Sequence, residues 1–446
     1  MNSLNKEQLR AAMPDGGVNL VIAGAGTGKT STLIQKVLNI IDDGKFRPEN
    51  ILILTFNRRA AEEIKHRISL YIANDIEYIT SATFHSFSYS LLQQNREFFI
   101  KNFNFSGFPT ILDEDEKKSI HYDLIENSLD RFLGFPASVI YSLMDCIDRL
   151  DRPILKKLKR HGIIEGINDF RERYSDYKRS KGLIDFNDII NYTIELLEKN
   201  EDIRERTIQR YQYILVDEFQ DTSESNFRLL KLLIKYDNPN IFLVGDDWQS
   251  IYSFRGARVE YIVKMKKFFP DVNIIKLRIN YRSRKDIVSI SNKLIKINRF
   301  KTKKRLKSFK GKGGGVYDYP VNGFMEELEK IKDILLNRVG SSTDLAILYR
   351  NNWQGDYIVR NIQDIELIKS DRPQLMTIHS SKGLEFDTVI IAGVSDDIIP
   401  DALSDIEEER RLFYVALTRA KENLHIIHHL SDKGEGAKFA KEMGFL

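Results

Sequence analysis

The sequence predicts an α/β protein built on two doubly wound parallel sheets, with a mainly helical segment inserted into the first. Three observations predict it. Short, almost wholly apolar or β-branched runs recur, as expected of strands buried on both faces. Helical patterns separate most of these runs. Glycine-rich and acidic residues fall just past several of them, at the strand C-termini where open α/β sheets bind ligands. The 446 residues are enough for more than one core.

The first strand is predicted at Asn19–Ile22. It runs into Ala23, Gly24, Ala25, Gly26, Thr27, Gly28, Lys29, Thr30 and Ser31, then into a helix-like stretch from Leu33. Glycines let backbone N–H groups turn inward around an anion; Lys29 adds a mobile positive charge, and the Thr30 hydroxyl can ligate Mg2+. The helix that follows points its positive end at the same anion. This is chemistry for holding a nucleoside triphosphate. Ala23 stands where the pattern usually has glycine, and alanine serves there if its φ is negative.

A second strand is predicted at Ile51–Phe56 and a helix over Arg59–Tyr71. Between Ser86 and Arg210 helical periodicity and charge dominate, Phe and Tyr recur, and strand signals are few, which predicts the insertion. Strands return at Tyr213–Val216, Ile241–Val244 and Ile274–Leu277, with a helix at Asn226–Lys235. Tyr213–Val216 ends in Asp217 and Glu218, the pair that phosphoanhydride hydrolysis needs: one carboxylate for the Mg2+ shell, one to orient or deprotonate water. The second sheet is expected from Gly315–Tyr319, Ala346–Leu348, Val389–Ile391 and His425–Ile427. Just before it, Arg299–Gly315 is the densest basic run, either a solvated linker or a contact to a phosphate backbone.

The net charge of +4 permits a nucleic-acid partner without requiring one. The single cysteine, Cys146, excludes internal disulfides and cysteine-rich metal sites and fits a reducing compartment. No stretch reads as a membrane span, and the N-terminus does not read as a signal peptide. A soluble, cytoplasmic protein with no membrane partner is the expectation.

The glycine-rich turn together with D-E-F-Q-D at Asp217–Asp221 resembles the superfamily 1 helicases of the UvrD/Rep type. Further motifs follow in that family's order. L-N-K-E-Q at Leu4–Gln8 is similar to the adenine-reading Q motif, and T-F-N-R-R-A-A at Thr55–Ala61 and T-F-H-S at Thr83–Ser86 to the first single-strand contacts. V-G-D-D-W-Q-S-I-Y-S-F-R-G-A at Val244–Ala257 resembles motif III, and N-Y-R-S at Asn280–Ser283 motif IV. T-I-H-S-S-K-G-L-E-F-D at Thr377–Asp387 resembles motif V, and E-E-R-R-L-F-Y-V-A-L-T-R-A at Glu408–Ala420 motif VI. The wording G-D-D-W-Q, with A-A-E-E-I before it and Y-V-A-L-T-R-A after it, is most similar to the helicase IV type.

The resemblance implies two RecA-like domains, the first from 1–88 and 206–276 and the second from 277–446, with a helical insertion at 89–205. The family's second-domain insertion is expected to be absent, because Tyr357 and Leu375 are fewer than twenty residues apart. ATP and Mg2+ are the implied cofactors. Lys29 would contact the β- and γ-phosphates, Thr30 and Asp217 would hold Mg2+, and Glu218 would be the general base. Gln249 would sense the γ-phosphate, and Arg282 and Arg419 would be arginine fingers. Gln8 would read the adenine edge, Tyr281 would stack on the base and Glu385 would meet the ribose. The family often has an arginine where this chain has Ser31, which weakens the expected preference for ATP. Thr55, Phe56, His85, Tyr252, Phe254, Arg255, Arg350 and Lys382 are the implied contacts to single-stranded DNA or to duplexes with single-stranded tails. Core packing is the alternative reading for Phe56 and Phe254.

The activity so implied is DNA-stimulated ATP hydrolysis driving 3′→5′ translocation and duplex opening, in repair or defence. A regulatory, DNA-sensing ATPase subunit of a larger, nuclease-containing assembly is the alternative. A nucleotide-binding protein without nucleic acid would leave Thr55–Ala61 and Thr83–Ser86 without a purpose.

Overall fold

The computed structural model describes residues 4–72, 76–127, 132, 136–146, 152–235, 237–337, 344–362, 373–401 and 404–445. Its first elements are α1 (Lys6–Ala11), β1 (Gly17–Ile22), α2 (Lys29–Asp42), β2 (Ile51–Thr55), α3 (Arg58–Ser69), β3 (Thr80–Thr83) and α4 (Phe84–Gln94). The first sheet has six strands in the order β3, β2, Tyr213–Val216, Asn240–Gly245, β1 and Asn273–Lys276. All its pairings are parallel, with Ile22 opposite Gly245 and Leu54 opposite Val216. Parallel register brings the C-terminal ends of β1, Tyr213–Val216 and Asn240–Gly245 to one rim. The glycine-rich turn, Asp217 and Asp246 therefore become neighbours, although they are far apart in sequence.

The second sheet has five parallel strands in the order Gly315–Val321, Ala420–His429, Phe386–Val394, Leu345–Tyr349 and Gln374–Thr377. The two doubly wound parallel sheets expected from the apolar runs are thus present. Central strands announced themselves because both faces are buried: Ile51–Thr55 and Tyr213–Val216 are buried throughout. The sequence reading missed β3 and Gln374–Thr377. Both are edge strands of only four residues, largely half-buried, so neither produces an apolar run.

Between the parts of the first sheet lies the helical segment, including Glu114–Glu126, Ile163–Lys181 and Phe186–Lys199. A short parallel pairing of Thr110–Ile111 with Leu183–Ile184 ties its limbs together. Phe87, Leu91, Phe99, Ile189 and Leu197 share one core with Leu52, Leu54 and Ile214 of the first sheet. A separate core forms around Ile125, Phe132, Ile140, Ile167 and Phe170. Within Lys181–Ile190, Asp185 caps the Phe186–Lys199 helix and shares the Lys178 ammonium with Asp188. No helix among the described residues is long and apolar enough to cross a membrane.

Candidate active site

The glycine-rich turn links β1 to α2. Its Ala23 N–H donates to Gly245 O at 2.9 Å, and Thr27 Oγ1 donates to Gly24 O at 2.9 Å. Gly26 and Gly28 sit at φ of +64° and +77°, where a side chain would be strained. Among the described residues the only non-glycines at positive φ are Asn104 and Glu218, so Ala23 fits its place without strain. A Cβ at Gly24 would lie 2.3 Å from Leu306, and one at Gly26 would lie 2.6 Å from Arg282 Cβ. The loop is therefore roofed by residues that follow it by more than 250 positions.

Across from the loop, Lys29 Nζ donates to Glu218 Oε2 at 2.7 Å, and Gln220 Nε2 donates to the same oxygen at 2.6 Å. Glu218 adopts φ of +49°, a left-handed conformation that costs a non-glycine residue and is characteristic of functional turns. Burial pushes the Asp217 carboxyl up, and the adjacent Glu218 charge adds to the effect. Burial works the same way on Glu218, but Lys29 and Lys382 outweigh it and hold that carboxyl down. Lys29 remains charged: burial opposes its charge, and Glu218, Asp246 and Asp217 more than offset this. Asp217 and Thr30 are hard oxygen donors at the phosphate loop, and a buried acid beside a second acid is a place that a dication would relieve. The residues present thus fit Mg2+ and a polyphosphate. Among the described residues no group of three or more His, Cys, Asp or Glu is arranged to hold a metal.

The arginines reach this rim from a two-stranded pairing of Ile279–Asn280 with Lys307–Ser308 and from the turn before Ala420–His429. Tyr281 N–H donates to Gly26 O at 2.8 Å, and Asn280 Nδ2 donates to Ala25 O at 2.8 Å. Arg282 ion-pairs with Glu385 at 2.7 Å and donates to Thr418 O at 3.1 Å. Arg419 is 1% exposed; its Nη2 donates to Gln249 Oε1 at 3.2 Å and its Nη1 to Leu384 O at 2.9 Å. Burial, then Arg282, weigh against its charge. Gln249 Nε2 donates to Asp246 Oδ2 at 2.6 Å, so both ends of this amide are held.

On the far side of the loop, Asn5 caps α1 and forms a capping box with Gln8. Gln8 Nε2 also donates to Thr27 O at 3.1 Å, and Asn5 Nδ2 donates to the Tyr281 hydroxyl at 2.8 Å. Gln8 and Tyr281 are thereby set beside the loop. Glu385 is occupied by Arg282 and, at 3.7 Å, by Lys421. Ser31 Oγ accepts from Arg67 Nη2 at 3.0 Å, so α3 supplies a guanidinium next to the position where arginine was missed.

The expected nucleic-acid contacts divide in two. Tyr252 and Phe254 pack edge to face at 5.8 Å, Phe254 meets His379 at 5.8 Å, and Arg255 lies over both aromatic rings. Phe254 is 41% exposed, so it is not a core residue. Phe56, by contrast, packs on Phe84 at 5.3 Å against the main core. Thr55 is buried, with its hydroxyl turned to Asn57 O. His85 meets the exposed ring of Phe186, and burial lowers its pKa. Lys382 is committed elsewhere: it ion-pairs with Asp221 at 2.6 Å and donates to Gln249 O at 3.1 Å. Arg350 forms a two-pronged pair with Glu409 at 3.0 and 3.3 Å. Of the three cations expected to contact a strand, Lys382 and Arg350 are thus paired with buried carboxylates, and Arg255, among the described residues, is not.

The basic run Arg299–Gly315 also departs from both of its readings at its centre. Lys304 has a fully buried side chain paired with Asp246 at 2.6 Å and Asp247 at 2.7 Å. Sequence reasoning missed Lys304, Asp221, Asp246, Gln220 and His379. Gln220 and Asp221 stand inside Asp217–Asp221, Asp246 inside Val244–Ala257 and His379 inside Thr377–Asp387, beside residues that were given roles; only Lys304 lies outside these motifs.

The sequence model of the UvrD/REP helicase N-terminal domain matches residues 4–270, and that of the UvrD-like helicase C-terminal domain matches 275–367 and 357–431. The chain is 32% identical over 385 residues to the ATP-dependent DNA helicase Rep of Buchnera aphidicola, covering 85% of this chain and 57% of that protein. It is 30% identical over 458 residues to a probable DNA helicase of Mycoplasma pneumoniae, covering 96% and 83%. It is 31% identical over 388 residues to the ATP-dependent DNA helicase PcrA of Staphylococcus aureus, covering 84% and 51%. The chain thus spans little more than half the length of the Rep and PcrA proteins it matches.

Proposed function

From the premise that the chain belongs to the UvrD/Rep helicase family, we propose that it is an ATP-driven motor on single-stranded DNA, translocating 3′→5′ and opening duplexes with single-stranded tails. The observation that carries this reading is the convergence of the N-terminal and C-terminal halves of the chain on one phosphate loop. Gly26 O accepts from Tyr281 N–H, Gln249 meets Arg419, and Lys29 meets Glu218. A cleft built from two domains changes when its occupant is hydrolysed, and such a change is what moves a strand.

In this reading Lys29 binds the β- and γ-phosphates, and Thr30 and Asp217 hold Mg2+, which when bound neutralises charge on the phosphate oxygens. Glu218 takes the proton of the attacking water. Arg282 and Arg419 present planar guanidiniums to the charge that spreads over the equatorial oxygens. Gln249 reports the γ-phosphate, Gln8 and Tyr281 orient the adenine, and Glu385 meets the ribose once Arg282 turns to phosphate. Tyr252, Phe254 and Arg255 form the stacking platform, where aromatic faces accept any base. The two pieces of the C-terminal match meet at 357–367, and the chain there is short, which supports a second domain without a large insertion.

Strand displacement on 3′- and 5′-tailed duplexes, run beside ATP hydrolysis with and without single-stranded DNA, tests the reading. Stimulated hydrolysis with displacement from the 3′ tail is expected. Stimulated hydrolysis without displacement would favour a DNA-sensing ATPase subunit of a larger repair or defence assembly. No stimulation at low salt would overturn the motor.

A further inference from the structure

We propose that Lys304 is a positioning residue for ATP hydrolysis, acting through Asp246 to hold the Gln249 amide toward Arg419. This rests on the reading of Gln249 as the group that meets the γ-phosphate. The segment carrying Lys304 is tied to the second domain on both sides. Glu407 accepts from Arg299 N–H at 2.6 Å, and Asn292 exchanges hydrogen bonds with the Leu306 backbone at 2.9 and 3.2 Å. Between these ties the chain turns into the first domain. Thr302 donates its N–H and hydroxyl to Asp247 at 2.7 and 2.6 Å, Trp248 Nε1 donates to Thr302 O at 3.4 Å, and the Lys304 ammonium lies 4.5 Å from the Trp248 ring centroid.

The side chains of Lys304, Asp246 and Asp247 are all fully buried. Burying a lone ammonium or two adjacent carboxylates is costly, and only the triad as a whole offsets that cost. Its geometry reaches the reaction site in two steps. Asp246 Oδ1 accepts from Lys304 Nζ at 2.6 Å and from Trp248 N–H at 3.1 Å, which leaves Oδ2 turned to Gln249 Nε2 at 2.6 Å. Gln249 Oε1 then faces Arg419. A flipped amide would put its NH2 against a guanidinium and its oxygen against a carboxylate. The orientation is therefore fixed by Asp246, and Asp246 is fixed by Lys304 from the other domain.

The test is a double-mutant cycle of Lys304→Met and Gln249→Ala, read as DNA-stimulated kcat and KM for ATP. Lys304→Met is expected to lower kcat about 10–100-fold with KM changed less than about threefold. The double variant should be no slower than the slower single, because one residue acts through the other. If Lys304→Met fails to fold, Lys304→Met with Asp247→Asn, which removes one buried charge of each sign, takes its place. Multiplying effects, a change in KM alone, or a wild-type rate for the lysine variant would overturn the proposal and leave the functional reading standing. A wild-type rate for Gln249→Ala would overturn both this proposal and the role given to Gln249. No ATP hydrolysis by the wild-type chain would overturn the functional reading itself.

Discussion

The phosphate end of the cleft and the aromatic end at Phe254 use their charged groups in opposite ways. At the phosphate end, Lys29 pairs with Glu218, and Gln249 links Asp246 to Arg419, so the charged groups face one another across the loop. At the aromatic end, two of the three cations that motif wording assigned to a strand are paired with carboxylates, Lys382 with Asp221 and Arg350 with Glu409. What is left facing outward is Phe254 and Arg255 with half-buried Tyr252. On the proposed function, the difference puts preorganised charge where a phosphate would react and exposed π-faces where a strand would stack.

The largest effect should come from the phosphate end. Lys29→Ala and Glu218→Gln are each expected to reduce phosphate release at least about 100-fold. Normal turnover in both would erase the contrast. Next, Arg350→Ala should destabilise the fold by on the order of 3 kcal/mol, because Glu409, 3% exposed, loses its buried partner. Urea denaturation measures this. A variant of normal stability but weakened DNA binding would return Arg350 to the strand-facing side. Phe254→Ala should weaken single-stranded DNA binding by about 1–3 kcal/mol in fluorescence anisotropy and leave unstimulated ATP hydrolysis intact. Unchanged binding would remove the platform.

The smallest effect concerns neither end and is a control on fold electrostatics. Lys36 is 1% exposed and lies near the rings of Tyr213 and Phe242, donating to Met13 O; burial lowers its pKa from 10.5 to about 8. Between those values the unfolded chain holds a proton that the folded chain has released, so stability gains with rising pH. Relative to Lys36→Met, the wild type should therefore gain denaturation midpoint from about pH 8 upward. A gap that is flat with pH would mean the ammonium is not desolvated.

The sequence alone determined the parts that are local. Central strands were legible because burial on both faces demands apolar runs, whereas the four-residue edge strands Thr80–Thr83 and Gln374–Thr377, largely half-buried, carry no such run. The phosphate loop was legible because its function needs glycines, lysine and threonine in consecutive order, and Asp217-Glu218 because a strand tip delivers neighbours together. Tertiary structure alone decided which charges are free. Lys382, Arg350 and Lys304 looked like surface cations in a basic chain, and each is instead paired with a carboxylate more than 55 positions away in sequence. Sequence spacing fixes what one turn or one strand end presents. Parallel register and the packing of two sheets fix what meets it, because a buried charge is tolerable only where the fold has brought its opposite within hydrogen-bond reach.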